Sequence, residues 1–220
     1  MPAGDAPLVL ILDDDGRVRD ALSELLASVG IESLSFAAPA DLILADLPDR
    51  PGCIILDVRM PGGSGLELQR QALDDRRLSK PIIFLTGHGD IPMSVQAMKA
   101  GAVDFLVKPA RDQTLLDAVS TGIERDRIQR KAAGIRNALL HRYARLTPRE
   151  REVMGFVCLG RLNKQIAYAM DISEVTVKLH RGNVMSKMEF ATVGELIRAW
   201  ELIEPALASD LKPVRQDATL

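Results

Sequence analysis

The sequence predicts a doubly wound α/β domain, then a long helix, then a small all-helical domain, and three observations predict this order. In the first half, short apolar runs with β-branched members, such as Leu8–Leu12, Cys53–Leu56 and Ile82–Leu85, alternate with helical patterns. From Asp112 to Arg145 there is no proline, and the only glycines are Gly122 and Gly134. Beyond Leu146 the apolar spacing is helical throughout, interrupted by short turns with good capping residues.

Taken in order, Leu8–Leu12 reads as a strand that runs into Asp13, Asp14 and Asp15. Apolar residues from Val18 to Val29 recur at helical spacing, and Gly30 stops that helix. Glu32–Phe36 is a short strand, and Pro39 opens a helix through Ala45. Asp49–Gly52 is a turn before Cys53–Leu56, which reads as a strand buried on both faces and ends at Asp57, with Pro61 and Gly62 turning the chain. Helices are expected over Gly65–Leu73 and Ile91–Ala100, the second closed by Gly101. Between them, Ile82–Leu85 is a strand that ends at Thr86. Val103–Val107 is the fifth strand and stops at Lys108–Pro109. Five strands alternating with helices make a parallel, flavodoxin-like (βα)5 sheet.

The stretch from Asp112 to Arg145 reads as one long helix, or two joined softly at Gly134. Leu116, Val119 and Ile123 form one apolar stripe, and Ile128, Ala132, Ile135, Leu139 and Tyr143 another. The second stripe suits either a solvated spacer or a two-helix contact between subunits. Thr147 then caps a helix with Pro148 at its first position, and Glu150 completes a capping box. A short helix over Asn163–Met170 follows, then a turn at Asp171–Ser173, a helix over Glu174–Met188 and a fourth over Val193–Ile203. Two short helices, a tight turn and a third helix are the plan of a helix-turn-helix. In the third helix Val175, Val177, Val184 and Met188 are expected inward, with Leu179 on either side. Lys178, His180, Arg181, Asn183 and Lys187 form a polar, basic face.

The composition of the 220 residues, 47% hydrophobic and 26% charged, is that of a globular protein. No apolar run approaches the roughly 20 residues that span a bilayer, and Met1–Asp5 lacks the basic start of a signal peptide, so a cytoplasmic protein without a membrane partner is expected. Cys53 and Cys158 make neither a disulfide framework nor a zinc site and read as buried small hydrophobes. The net charge of −2 hides an asymmetry: residues 1–112 carry 11 Lys/Arg against 17 Asp/Glu, and residues 113–220 carry 17 against 13. An acidic half joined to a basic half suggests an acidic site in one and a polyanion partner for the other.

Ligands of open α/β sheets gather beyond the carboxyl ends of the strands. There the first, third, fourth and fifth strands deliver Asp13 and Asp14, Asp57, Thr86 and Lys108. Taken alone, an aspartate closing a strand is more commonly a turn or capping residue. Clustered carboxylates, however, repel one another and need a divalent cation, and hard oxygen ligands suit magnesium. Such a site keeps Asp57 ionised as a nucleophile toward a phosphoryl group, with Lys108 and Thr86 directed at the phosphate oxygens.

Leu12–Asp14, Leu56–Pro61, Thr86–Gly87 and Lys108–Pro109 together resemble the receiver domain of two-component response regulators, and Thr86–Met93 with Ala97–Phe105 is close to the FixJ-type branch. The resemblance implies Asp57 as phospho-acceptor from a sensor histidine kinase, Mg2+ on Asp13, Asp14 and Asp57, and Thr86 and Phe105 as switch residues. Two positions depart from the pattern: Ala110 stands where an aromatic residue is usual, and Gly63 follows Gly62. The segment with Leu146–Val153, Gly160, Asn163–Ala167, Ile172–Ser173 and Thr176–His180 resembles the LuxR/NarL-type DNA-binding domain. That implies Lys178, Leu179 and Gly182 facing bases, and Lys164, Thr176 and Asn183 near the backbone, with Arg181 on the same basic face. A side chain usually stands where this chain has Gly182. The expected domains are 1–122 (receiver), 123–144 (helical linker), 145–206 (helix-turn-helix) and 207–220 (flexible tail).

The function this implies is a phosphorylation-switched, homodimeric transcription regulator. It would bind double-stranded DNA with two-fold-related half-sites and work with RNA polymerase. The alternative is a phosphorylation-independent regulator that uses the receiver as a dimerisation module. An aspartyl phosphatase is a third reading, but that chemistry wants an acid two residues after the nucleophile, where Arg59 stands, so the chain is expected not to be an enzyme.

Overall fold

In strand β1 (Leu8–Leu12) every residue is buried, and its side chains alternate between two separate cores. Leu8, Leu10 and Leu12 join one core, and Val9 and Ile11 the other. A strand covered on both faces has no polar positions to spare, which is why the sequence shows an unbroken apolar run. The computed structural model describes residues 6–60, 63–74, 80–87 and 89–210. Strands β2 (Glu32–Phe36), β3 (Gly52–Leu56), β6 (Ile82–Thr86) and β7 (Asp104–Val107) complete a parallel sheet of order β2-β1-β3-β6-β7.

Helices α1 (Gly16–Ser28) and the first part of α5 (Asp112–Ala144) cover one face, where Leu22, Leu26, Leu115, Val119 and Ile123 pack on Val9, Ile11, Ile55 and Ile83. Residues of α2 (Pro39–Leu44), α3 (Gly65–Asp74) and α4 (Ile91–Lys99) cover the other, with Leu42, Leu68 and Ala97 against Leu10, Leu56 and Phe84. One feature was not expected. Arg59–Met60 (β4) pairs antiparallel with Gly63–Ser64 (β5), so the chain after Asp57 folds back on itself before α3 begins. Pro61 and Gly62, read as the turn, lie outside the described residues.

Helix α5 is a single element through Gly134. Contacts divide the chain into two units between Lys131 and Ala132, and the physical reason is visible along the helix. In the first unit Ile123 continues the buried Leu116–Val119 stripe, and buried Asp126 accepts the Gly52 N–H at 2.8 Å and Arg130 Nε at 2.9 Å. In the second unit Leu139 is buried and Tyr143 packs beside it. Between these anchors Ile128 and Ile135 are exposed, so of the second predicted stripe only its end is covered.

The second unit adds α6 (Pro148–Cys158), α7 (Asn163–Met170), α8 (Glu174–Met188) and α9 (Val193–Asp210). Its core is built from Val153, Met154, Ile166, Val177, Val184, Met188, Leu196 and Ile203. The fourth helix was expected to stop at Ile203, with a flexible tail from 207. Instead α9 runs through Pro205 to Asp210, and Leu207 packs against the core. Pro205 removes one backbone hydrogen bond from the helix, and Leu207, two residues later, still reaches the core. The rest of the predicted tail, residues 211–220, lies outside the described residues.

Candidate functional site

Parallel strands in register bring their carboxyl ends to one edge, and the predicted pocket assembles there. Leu12 pairs with Leu56, so Asp13 and Asp57 follow side by side, and the Asp57 N–H donates to the Leu12 carbonyl at 2.9 Å. Thr86 registers with Val107, which places Lys108 beside it; the Lys108 N–H donates to the Thr86 carbonyl at 2.8 Å. Lys108 Nζ then bridges the two acids, 2.5 Å from Asp13 Oδ2 and 2.7 Å from Asp57 Oδ2. Asp13, Asp57 and Thr86 are buried, whereas Asp14 is exposed at the mouth.

Backbone donors orient both carboxylates. The Asp15 N–H donates to Asp13 Oδ1 at 3.0 Å, and the Arg59 N–H to Asp57 Oδ1 at 3.1 Å. Burial raises the Asp13 pKa above the ordinary carboxylate value, and the hydrogen bond from Lys108 only partly offsets it. Burial also pulls on Lys108 in the opposite direction, but hydrogen bonds to Asp13 and Asp57 outweigh it and leave the ammonium pKa raised. Lys108 is therefore a fixed positive charge across neutral pH.

Carboxylate oxygens of Asp13, Asp14 and Asp57 lie within 4.8 Å of one another. Three convergent carboxylates are the donor set of a hard divalent cation, so the residues fit one. Two contributors were not foreseen from the sequence. Arg19 Nη1 holds the carbonyls of Asp13 and Asp14 at 2.8 and 3.1 Å, fixing the acidic loop from one turn into α1. Gly65 lies so close to Asp57 that a β-carbon there would come within 2.4 Å of the Asp57 carbonyl oxygen. An arginine six residues after an aspartate carries no signal before the loop is folded, and a glycine at a helix start reads only as punctuation.

Thr86 is almost wholly buried, and Phe105 is half-buried with its ring centroid 5.9 Å from that of Phe84. The two switch candidates thus share one side of the sheet.

In the second unit, Asp171 takes the left-handed conformation (φ 54°) that ends α7, and Ser173 Oγ accepts the Thr176 N–H at 3.1 Å to start α8. Val177, Val184 and Met188 are buried as expected. Val175 is not: it is 76% exposed, and Leu179 is 63% exposed. The outward face is Val175, Lys178, Leu179, Gly182 and Asn183, a stripe at helical spacing on the side opposite Val177 and Val184. A β-branched residue in the first turn of an amphipathic helix looks like core until the neighbouring helices are placed.

Other members of the expected basic face are used internally. Arg181 Nη1 donates to Asn163 Oδ1 at 2.9 Å, tying α8 to the start of α7, and His180 is half-buried. Lys187 pairs with Glu150 at 2.7 Å, and Glu150 also accepts the Thr147 N–H at 2.8 Å in a complete capping box. Thr176 is half-buried, its hydroxyl 2.8 Å from Ser173 Oγ, while Lys164 is exposed. Gly182 has nothing within 4 Å of where a β-carbon would stand, so the stripe is open at its middle. Trp200 packs against Tyr143, with ring centroids 6.0 Å apart, and Arg151 lies over that tyrosine.

Comparison with known proteins agrees with both halves. Residues 9–120 match the response regulator receiver domain, and residues 144–199 match the LuxR family of bacterial regulatory proteins. Nodulation protein W of Bradyrhizobium diazoefficiens is 45% identical over 91% of this chain and 88% of its own length. Response regulator protein TodT of Pseudomonas putida is 46% identical over 92% and 88%. Transcriptional regulatory protein FixJ of Azorhizobium caulinodans is 42% identical over 93% and 97%. Among solved structures, response regulator StyR is 42% identical with a TM-score of 0.74, covering 89% of this chain and 98% of that one. Full-length FixJ from B. japonicum is 39% identical with a TM-score of 0.52, covering 93% and 98%. With its acidic sheet-edge pocket, its helix-turn-helix and relatives that match it nearly end to end, the chain belongs to the NarL/FixJ family of two-component response regulators, which pair a receiver with a LuxR-type DNA-binding domain.

Proposed function

We propose that Asp57 accepts a phosphoryl group from a sensor histidine kinase and that this switches the chain as a DNA-binding transcription regulator. The observation that carries the reading is Lys108 bridging Asp13 and Asp57 at the sheet edge where Asp14 and Thr86 also arrive. An Asp57 oxygen attacks the phosphorus of a phosphohistidine; a P–O bond forms as the P–N bond breaks, and the imidazole leaves and takes up a proton from solvent. Asp13, Asp14 and Asp57 would hold Mg2+, which supplies positive charge to the transferring oxygens. Lys108 exchanges a carboxylate for a phosphoryl oxygen, and the Thr86 hydroxyl turns to another. Phe105 follows Thr86, and the face formed by α4, β7 and the start of α5 changes shape and pairs two copies.

The proposed domain limits remain 1–122 for the receiver, 123–144 for the linker and 145–206 for the DNA-binding domain. Lys178, Leu179 and Gly182 face bases of a two-fold-related site, with Val175 at the edge of the same stripe. Lys164, Thr176 and Asn183 lie along phosphates, and Arg181, which also donates to Asn163, faces the groove beside them. The dimer then presents itself to RNA polymerase. Asp57 is a stoichiometric acceptor rather than a turnover catalyst. Among the described residues no helix is long and apolar enough to cross a membrane, in keeping with a cytoplasmic site of action.

The test is phosphoryl incorporation from an acyl phosphate donor with Mg2+, together with oligomeric state and DNA affinity, for wild type and Asp57→Asn. Wild type is expected to incorporate phosphoryl, dimerise and gain affinity. Asp57→Asn is expected to do none of these while keeping its circular dichroism spectrum. A variant that still responds to the donor would remove Asp57 as the acceptor.

A further inference from the structure

Two glycines follow Thr86 closely, and only the second is confined. A β-carbon placed on Gly87 meets nothing within 4 Å. On Gly89 it would stand 2.7 Å from Phe105 Cε1, 3.2 Å from Phe105 Cζ and 3.3 Å from Thr86 Cγ2. Backbone conformation does not explain this glycine, because the left-handed glycines of the described residues are Gly30, Gly101 and Gly160. Space explains it.

Sheet register shows why these atoms meet. Phe84 and Thr86 are two residues apart on β6 and so project to the same face, and Phe105 on β7 stands opposite Phe84. The aromatic ring of residue 105 is therefore set diagonally beside Thr86, with Phe84 on one side. Among the described residues after Thr86, Gly89 lies on the other side, with no side chain between its backbone and the ring.

We propose that Gly89 is the seat of the Phe105 ring, so that the missing side chain at residue 89 sets the balance of the Thr86–Phe105 switch. This rests on reading Thr86 and Phe105 as the switch pair. A methyl group at residue 89 presses on both members at once: the ring must leave its seat or the threonine must turn away. Phosphorylation acts through the same two side chains, so an occupied seat leaves less for the phosphoryl group to change. Overpacking of this kind shifts a two-state balance by roughly tenfold.

The experiment uses the full-length protein with Gly89→Ala, Phe105→Leu, the double variant and Gly87→Ala as a matched substitution into open space. Urea unfolding of all five proteins, wild type included, measures the coupling between residues 89 and 105. Self-association with and without an acyl phosphate donor and Mg2+ measures the switch. The expected result is that Gly89→Ala destabilises the protein when residue 105 is phenylalanine and much less when it is leucine, while Gly87→Ala, placed in open space, changes stability little. The donor-induced gain in self-association should also shrink about tenfold in Gly89→Ala, relative to wild type. Equal destabilisation in both backgrounds overturns the proposal, because the contact is then not with the ring. A full donor response in Gly89→Ala overturns it as well. If the coupling is found but wild type itself gives no donor response, the ring seat stands and the switch reading fails.

Discussion

Glu150 shows what one side chain contributes when two helices meet on it. Its carboxylate completes the capping box of α6 through the Thr147 N–H and also holds Lys187 near the end of α8. Burial alone would raise its pKa, but the hydrogen bonds from Lys187 and from Thr147 more than reverse this and bring it to about 2. The sign follows from the depression. The ionised carboxylate stabilises the fold fully above its unfolded value near 4.5, and that contribution is lost as pH falls from there toward 2. Glu150→Gln keeps a capping acceptor but not the charge. Its second unit should therefore be less stable at pH 7 and show a flatter decline between pH 5 and 2, measured by urea unfolding at a series of pH values. The cap itself is worth about 1 kcal/mol, which Glu150→Ala should lose in addition.

At the scale of elements, α5 is held to the sheet by a buried polar cluster at the end of the strands opposite the acidic pocket. Asp126 accepts the Gly52 N–H and pairs with Arg130, with Lys80 Nζ 3.6 Å away; Lys80 also donates to the Arg50 carbonyl at 2.5 Å. Burial lowers the Lys80 pKa, and Asp126 is the main group opposing it. Removing Asp126 would leave a buried ammonium without its counter-charge and a buried N–H of β3 without its acceptor. Asp126→Ala should therefore cost about 3 kcal/mol in the first unit, read as a lower urea midpoint, whereas Asp49→Ala at the exposed end of the same cluster should cost well under 1 kcal/mol. An equal effect of the two would show that Asp126 does not anchor the helix. A tight fit of Gly122 against Cys53 adds to the same attachment, and burial pushes the Cys53 thiol up to about 12, which leaves it unreactive.

For the molecule as a whole, the charge asymmetry becomes a statement about partners. The half with 17 Asp/Glu against 11 Lys/Arg carries the acidic pocket, and the basic half carries the outward stripe of α8. Affinity for DNA should fall steeply with salt, as phosphate neutralisation releases counterions. Lys178→Ala should weaken specific binding by roughly 1–3 kcal/mol at one position of the site, whereas Lys164→Ala should weaken binding to all sequences and lower the salt slope by about one. Fluorescence anisotropy at several salt concentrations separates the two; identical salt slopes for wild type and Lys164→Ala would remove Lys164 from the phosphate contacts.

Much of this was legible in the chain itself. Three unbroken apolar runs mark strands covered on both faces, and with two less buried edge strands, all alternating with helices, they determined a parallel sheet; parallel strands bring Asp13, Asp57, Thr86 and Lys108 to one edge whatever else varies. Caps and turns likewise determined the starts of α6 and α8, because their hydrogen bonds span three residues. Contacts between distant segments were decided only by the tertiary structure. Val175 has the chemistry of a core residue and lies outside; Arg181 and Lys187 have the chemistry of a solvated basic face and reach Asn163 and Glu150 within the domain. Gly89 reads as loop punctuation until β7 is laid beside β6 and Phe105 comes down on it. Local patterns of period and capping act over a few residues and are written in order along the chain, whereas which face is covered, and by which side chain, depends on neighbours that only the folded molecule brings together.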